Sequence, residues 1–520
     1  MDELDCNLPP FLNLPLIVPP SMDTTMRGLS RVVLALAAVA VCVTPTLAQF
    51  EGSAPVPENL RAGFDTITPE QANEWLSLLA GPKFEGRGTG QAGFTKAAFW
   101  VAGKCAEFGL EPMGEGGSYF QYMPIAKRSV DLAQSKLIGP NGLEIVGEGN
   151  LGFDRFTDAP EAVGNVVFLN LRGDIGRRLD EGIDVRDKVV IYTADEQASR
   201  RASFAIGLGG PAAAMQVIDA EPNNVPQMIM GRRRGRGGNS IGGSITREAA
   251  LQLVAAVGGE ESWIDNNASE ETVAHDVDQQ LTLQLRVREE ETGAPNVLAW
   301  LPGEDPAMRD KFIIIGCHLD HLGMRGDTMY PGADDNGSGS TAVLSIARAM
   351  TENELKPKCS ILFMWFTGEE RGLLGSRHYA NNPLLPMENA VCMFNMDMVG
   401  RDEETPDETA EENKKTLHLI GSRRGDPDLH DTLMEANEYV NFEFEYDQED
   451  VFGRSDQASF YEKGLSVAFV FGGFHPDYHQ PTDKPERINY DKIANTARFF
   501  YIALHLAAEH GMYDRVPTDE

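Results

Sequence analysis

In the C-terminal half of this 520-residue chain, histidines and carboxylates stand at the ends of apolar runs, where they could bind a metal ion. Residues 316–339 read GCHLDHLGMRGDTMYPGADDNGSG and follow the run 312–315, Phe-Ile-Ile-Ile, which has the character of a buried parallel strand. Side chains alternate faces along a strand, so His318 and Asp320 point the same way. A carboxylate beside an imidazole can fix its tautomer. The turn 331–339 then presents Asp334 and Asp335 before an apolar helix over 341–350.

Three further apolar runs end in the same kind of residue. Residues 360–366 lead to Glu369 and Glu370, residues 390–394 lead to Asp397, and residues 465–471 lead to His479 within DYHQPTD. Four strand ends thus each offer His, Asp or Glu, at the edge where open α/β sheets place their ligand sites. A mixed imidazole and carboxylate set suits zinc, and two such sets sharing one carboxylate suit a two-metal centre. No His-Glu-x-x-His occurs, which excludes the single-zinc motif built on one helix.

The elements that must position these residues are an α/β domain. From Asn296 to a C-terminal helix over 493–509, strand and helix patterns alternate as in a doubly wound, mostly parallel but mixed central sheet flanked by helices. Residues 66–122 read as helical, with Thr68-Pro69-Glu70 a helix start and 94–108 a second helix. Between them Phe84-Glu85-Gly86-Arg87-Gly88-Thr89-Gly90 lacks the Lys-Ser/Thr of a phosphate loop and reads as a loop near the active-site rim. Residues 129–288 change to short β-rich runs (165–171, 188–192, 215–218 and 281–287) with one helix over 246–257, a small module inserted into the larger domain. The sequence therefore divides into a leader over 1–48, a helical part of the main domain over 60–128, the insertion over 129–288, and the catalytic domain over 289–512. Two polar stretches, the basic cluster 232–238 (RRRGRGG) and the acidic 401–415, read as solvated surface loops.

The formal net charge of −34 argues against a nucleic-acid partner, which needs a basic footprint. The basic stretch 26–31 (MRGLSR), the apolar stretch 32–43 and the small residues near Ala48 read as a signal peptide over about 26–48. The apolar stretch is too short to span a bilayer, so no stable membrane span is expected and the protein is expected to be secreted or periplasmic, cut near Ala48. Residues 1–25 read as an over-extended start. Of the cysteines, Cys105, Cys317, Cys359 and Cys392 follow that cut, and they read as small buried hydrophobes rather than a disulfide framework.

In the order and spacing of these motifs the sequence resembles the co-catalytic zinc exopeptidases of clan MH, which include bacterial leucyl aminopeptidases, aminopeptidase Y, glutamate carboxypeptidase and glutaminyl cyclase. The insertion, through 182–190 (GIDVRDKVV), resembles a protease-associated domain. The resemblance implies two zinc ions per chain and a peptide substrate. His318 and Asp397 would hold one zinc, Glu370 and His479 the other, and Asp335 would bridge them. Glu369 would be the general acid/base, Asp320 would orient His318, and the Asp335–Asn336 peptide would be cis. Gln457 stands where the family often reads histidine, in Ser455-Asp456-Gln457. An aminopeptidase is the expected activity; a carboxypeptidase or dipeptidase, a glutaminyl cyclase, and a non-enzymatic receptor-like protein are the alternatives on the same fold.

Overall fold

A computed structural model gives the fold and describes residues 49–516, apart from 158, 174, 176–178, 180, 181, 231–239, 266–270 and 407. The leader, the signal peptide and the basic cluster at 232–238 lie outside the described residues.

The main sheet has nine strands. Four of them run parallel side by side in the order Ser360–Phe366, Phe312–His318, Ala390–Asp397, Val467–Phe471. All four are buried along their whole length, which is why they appear in the sequence as unbroken apolar runs. Their side chains alternate between two cores. Ile313, Ile315, Cys317, Phe363 and Trp365 pack on one face, under helices Pro69–Leu79, Gly339–Glu352 and Tyr490–His510. Phe312, Ile314, Leu362, Met364 and Phe366 pack on the other, with Tyr379 and Phe460. Antiparallel strands flank the parallel four, Asn296–Leu301 on one side and Thr416–Ile420 on the other, making the sheet mixed as the sequence predicts.

Helix starts follow local chemistry. Thr68 accepts a bond from the Gln71 amide with Pro69 in the first turn, and Asn489 accepts from Lys492, each supplying an acceptor for an otherwise orphaned amide. Residues 66–122 are helical only in part, however. After Ala92–Glu107 the chain turns at Gly109 and gives two short strands, Glu111–Pro112 and Phe120–Gln121, that pair with Asn296–Leu301. Their apolar content is too small to show a period.

The β-rich segment builds its own sheets. Strand Pro124–Val130 leaves the main domain and Val287–Gly293 returns, and the two pair antiparallel with Pro124 opposite Gly293. Between them lies an eight-stranded sheet with a core on each face, one gathering Phe168, Ile191, Met215 and Leu253, the other Leu169, Tyr192 and Ile206. The run expected over 281–287 is instead the end of one strand, Val273–Gln284, and the start of the next, Val287–Gly293. A helix absent from the sequence reading, Glu196–Leu208, is capped by Asp195 and buries Ala198, Ala202 and Ile206, a sparse i, i+4, i+8 stripe.

The stretch 401–415 is mostly exposed after residue 403, as expected, but its first three residues depart from a solvated loop. Arg401, Asp402 and Glu403 are buried, because Asp402 pairs with Lys492, Glu403 with His418, and Arg401 with Asp477. The four cysteines are buried and unpaired, as expected.

One buried cation ties the loops at the carboxyl edge of the sheet. Arg87, with no exposed surface, donates to the carbonyls of Leu319 (2.9 Å), Leu79 (2.8 Å), Pro331 (2.9 Å) and Gly332 (2.7 Å). Its own carbonyl accepts from the His321 amide at 3.2 Å.

Two outcomes follow from this architecture. Arg87→Met should destabilise the protein by ~3–5 kcal/mol in denaturant unfolding, since it strips donors from buried carbonyls. Arg87→Lys should recover only a fraction, because an ammonium lacks the planar fork; full stability in either variant would show that the four bonds carry little. Replacing residues 125–292 by a short glycine linker between Pro124 and Gly293 should leave a main domain that still unfolds cooperatively by circular dichroism. Loss of that transition would mean the two sets of sheets depend on each other.

Candidate metal centre

The predicted strand ends converge. His318 closes the strand Phe312–His318, Asp397 closes Ala390–Asp397, and Glu369 and Glu370 sit in the turn after Ser360–Phe366. Asp335 comes from the glycine-rich turn and His479 from the loop after Val467–Phe471. The Asp335–Asn336 peptide is cis. Gly332, at φ +57°, precedes this turn; a Cβ there would lie 2.3 Å from the Asp335 carbonyl and 2.4 Å from the His321 ring. Only glycine fits.

The donor atoms form two groups that share Asp335. In the first, His318 Nε2 is 3.1 Å from Asp397 Oδ1 and 3.5 Å from Asp335 Oδ1. In the second, His479 Nε2 is 3.1 Å from Asp335 Oδ2 and 3.2 Å from Glu370 Oε2. The two oxygens of one carboxylate thus face different groups. Four donors placed tetrahedrally at zinc distances of roughly 2.0–2.2 Å would lie about 3.3–3.6 Å apart, close to these spacings. The residues fit the ion.

Adjacent residues in the sequence take different work. Asp334, beside Asp335, points away and accepts from the Gly400 amide at 2.6 Å, with His475 3.2 Å from its other oxygen. Glu370 belongs to the second group, whereas Glu369 reaches no nearer than 4.0 Å to His318 Nε2. Burial raises both glutamates, but the contacts with His321 and His479 outweigh it for Glu370 and hold its carboxyl well below the usual range. Glu369 has no such compensation. Burial, then the charges of Asp397 and Asp456, overcome the influence of His318 and leave it well above the usual range. Burial alone would lower His318, yet Asp397 and Glu369 carry it well above an ordinary imidazole.

Asp320 orients His318 by a route other than the expected one. The ring Nδ1 lies 3.0 Å from the Asp320 main-chain carbonyl and 3.9 Å from its carboxylate. The carboxylate instead accepts from Thr89 Oγ1 at 2.7 Å and from the Glu369 amide at 3.1 Å. It therefore holds the glutamate turn against the glycine-rich loop, which places that loop at the site. Ser455 donates to Asp397 Oδ2 at 2.7 Å. Gln457, in the place of the family histidine, is buried framework: its Oε1 accepts from Asn395 and its Nε2 donates to the Phe452 carbonyl.

Three site residues escaped the sequence reading. Arg87 is one. Asp456 is wholly buried near Glu369 and pushed by burial up to about 7. His321 is fully buried beside the second group, its Nδ1 2.8 Å from Glu370 Oε1 and 3.6 Å from Asp335 Oδ2. The signal was present in His318-x-Asp320-His321, two histidines one loop turn apart.

A pocket opens on the cluster, bounded by Asp335, Glu369, Asp397 and His479 and walled by Met398, Val451, Phe469, Phe471, Phe474 and Tyr478, with Arg454 also lining it.

The chain is similar to known proteins in sequence and in fold. A probable leucine aminopeptidase of Trichophyton verrucosum is 30% identical over 214 residues, 39% of this chain and 55% of that protein. Leupeptin-inactivating enzyme 1 of Streptomyces exfoliatus is 32% identical over 193 residues, 37% of this chain and 39% of the enzyme. The chain spans about half the length, or less, of these curated relatives. Among solved structures, an aminopeptidase from Aneurinibacillus sp. strain AM-1 shares the fold at TM-score 0.53 and 18% identity, covering 89% of this chain and 98% of the other. A zinc aminopeptidase from Bacillus subtilis does so at TM-score 0.52 and 18% identity, covering 87% and 96%. Residues 296–503, which carry every residue of the two donor groups, match the profile of peptidase family M28.

Proposed function

We propose that the protein is a two-zinc aminopeptidase that removes apolar residues from the amino ends of peptides. The observation that carries this reading is Asp335, whose Oδ1 faces His318 and whose Oδ2 faces His479, with Glu369 alongside and in neither donor group. Zinc ions held there would polarise the scissile carbonyl and lower the pKa of a water.

The chain's own residues do the rest. Glu369 takes the water's proton and returns it to the leaving amine. It is raised well above its usual range while not being a ligand, as a base should be. The hydrogen bond from its amide to Asp320, itself fixed by Thr89, holds the turn that aims it. The aromatic and aliphatic wall of the pocket accepts an apolar side chain. The relatives named as leucine aminopeptidases point the same way. Export through the signal peptide at 26–48 is part of this proposal, as is a protease-associated character for the β-rich insertion, which would roof the cleft and limit access to chain ends. Among the described residues no helix is long and apolar enough to cross a membrane.

Two experiments test the reading. Zinc analysis beside steady-state kinetics should find two equivalents per chain, with activity abolished by exhaustive chelation. Glu369→Gln should lose at least ~10²-fold in kcat, the lower end of a general base's contribution, while keeping both metals. Glu370→Gln or His479→Ala should weaken one metal, His318→Ala the other, and Asp335→Asn both. Metal loss in Glu369→Gln with retention in Glu370→Gln would reverse the roles of the two glutamates. In the second experiment, free leucyl peptides should turn over and their N-acetylated forms should not. Turnover that instead disappears when the carboxyl end is amidated would make the enzyme a carboxypeptidase.

A further inference from the structure

His321 is a wholly buried side chain at the cluster for which the proposed two-zinc scheme has no use. Its ring has no exposed surface, and neither ring nitrogen has a hydrogen-bond partner among the described residues. The 2.8 Å approach of Nδ1 to Glu370 Oε1 is not directed as a hydrogen bond, and that oxygen is likewise without a partner. A buried imidazole normally donates from one nitrogen and accepts at the other, and leaving both unmet is costly. An acceptor lone pair and a carboxylate oxygen that face each other with no proton well placed between them are what a cation would satisfy.

The spacing supports the same conclusion. His321 Nδ1 lies 2.8 Å and 3.6 Å from the oxygens of Glu370 and Asp335, the two carboxylates that His479 Nε2 approaches at 3.2 Å and 3.1 Å. His321, Asp335 and Glu370 thus form a compact donor set in their own right. The ring is held there rigidly. The His321 amide is bonded to the Arg87 carbonyl, residues 88 and 321 form a β-bridge, and the ring stands edge-on to His479 with centroids 5.7 Å apart.

We infer that His321 is a fourth protein ligand of the second zinc, through Nδ1, so that the two metal positions are unequal. The first position has His318, Asp335 and Asp397, three protein ligands, the number found where zinc keeps an open place for water or substrate. The second has His321, His479, Asp335 and Glu370, four protein ligands, the number of a closed structural site. The second zinc is then the tightly held one, and the first exchanges first. The inference rests on the two-zinc reading of the same cluster and adds to it which residue closes which position.

The test needs no turnover. Zinc X-ray absorption on the fully loaded, full-length protein should count three imidazoles (His318, His321, His479) per two zincs. Without coordination by His321 the count is two. Competition with a chromophoric zinc chelator should release the metals in two steps, and His321→Gln should weaken the tighter step by more than about 100-fold, beyond the 10–100-fold that outer-shell partners give, with one imidazole gone from the spectrum. Circular dichroism on the same samples checks that the variant folds, and the wild-type count decides the matter if it does not. An imidazole count of two, or a His321→Gln protein whose tighter step moves less than about tenfold, overturns the inference while leaving the two-zinc reading standing. A wild-type chain that takes up no zinc overturns both.

Discussion

The geometry of the cluster depends on the guanidinium of Arg87. It is wholly buried, sits at φ +53° in a segment where Glu85 and Gly86 also have positive φ, and binds carbonyls from three separate stretches of chain. One of these precedes His321, another precedes the turn that carries Asp335, and the third ends the helix Pro69–Leu79. A planar fork with five donors can span several acceptors that no ammonium could reach together. Burial lowers its pKa to about 10 against the pull of Asp483, Asp335, Asp320 and Glu370, so it remains charged. It therefore fixes the loops and also places a permanent positive charge beneath a crowd of carboxylates.

That charge does not make the carboxylates alike. Their separate surroundings give each one its work. Asp334 is spent on Gly400 and His475, Asp320 on Thr89 and the Glu369 amide, and Asp483 on the amides of Asp334 and Asp335. Each of these holds a turn in place. Among the carboxylates of the described residues, only Asp335, Glu370 and Asp397 present oxygens to the donor groups, and Glu369 stands beside them without an imidazole in hydrogen-bond reach. Two residues one position apart thereby differ in proton affinity in opposite directions, a separation of acid and base roles set by environment alone.

How much of this could be read from the chain depends on where each residue's partner lies. His318, Glu369, Glu370, Asp397 and His479 were legible because each follows a fully buried parallel strand, and such strands leave an unmistakable apolar run. The mixed α/β sheet was legible for the same reason. Arg87 was not, since its partners are main-chain carbonyls that no side-chain pattern records. His321 was passed over because an isolated histidine is more often structural than a ligand, and its burial comes from Gly332 and Arg87, distant in sequence. The start of the charged stretch 401–415 misled in the opposite sense: Asp402 and Glu403 are buried because Lys492 and His418 neutralise them across the fold. In the insertion, Glu196–Leu208 went unseen because a three-residue apolar stripe is too thin to register as a period.

The carboxylates gathered around the two donor groups have one more consequence, for folding itself. Bringing several like charges out of water costs free energy that imidazoles and a single arginine offset only in part. Any divalent ion held by the folded cluster, and not by the unfolded chain, adds its binding free energy to the stability of the native state. At a free ion concentration one hundred times a site's dissociation constant, that linkage is worth about 2.7 kcal/mol per site. The supply of metal in the compartment where the chain folds would then set the fraction of molecules that are native, as well as the fraction that are active.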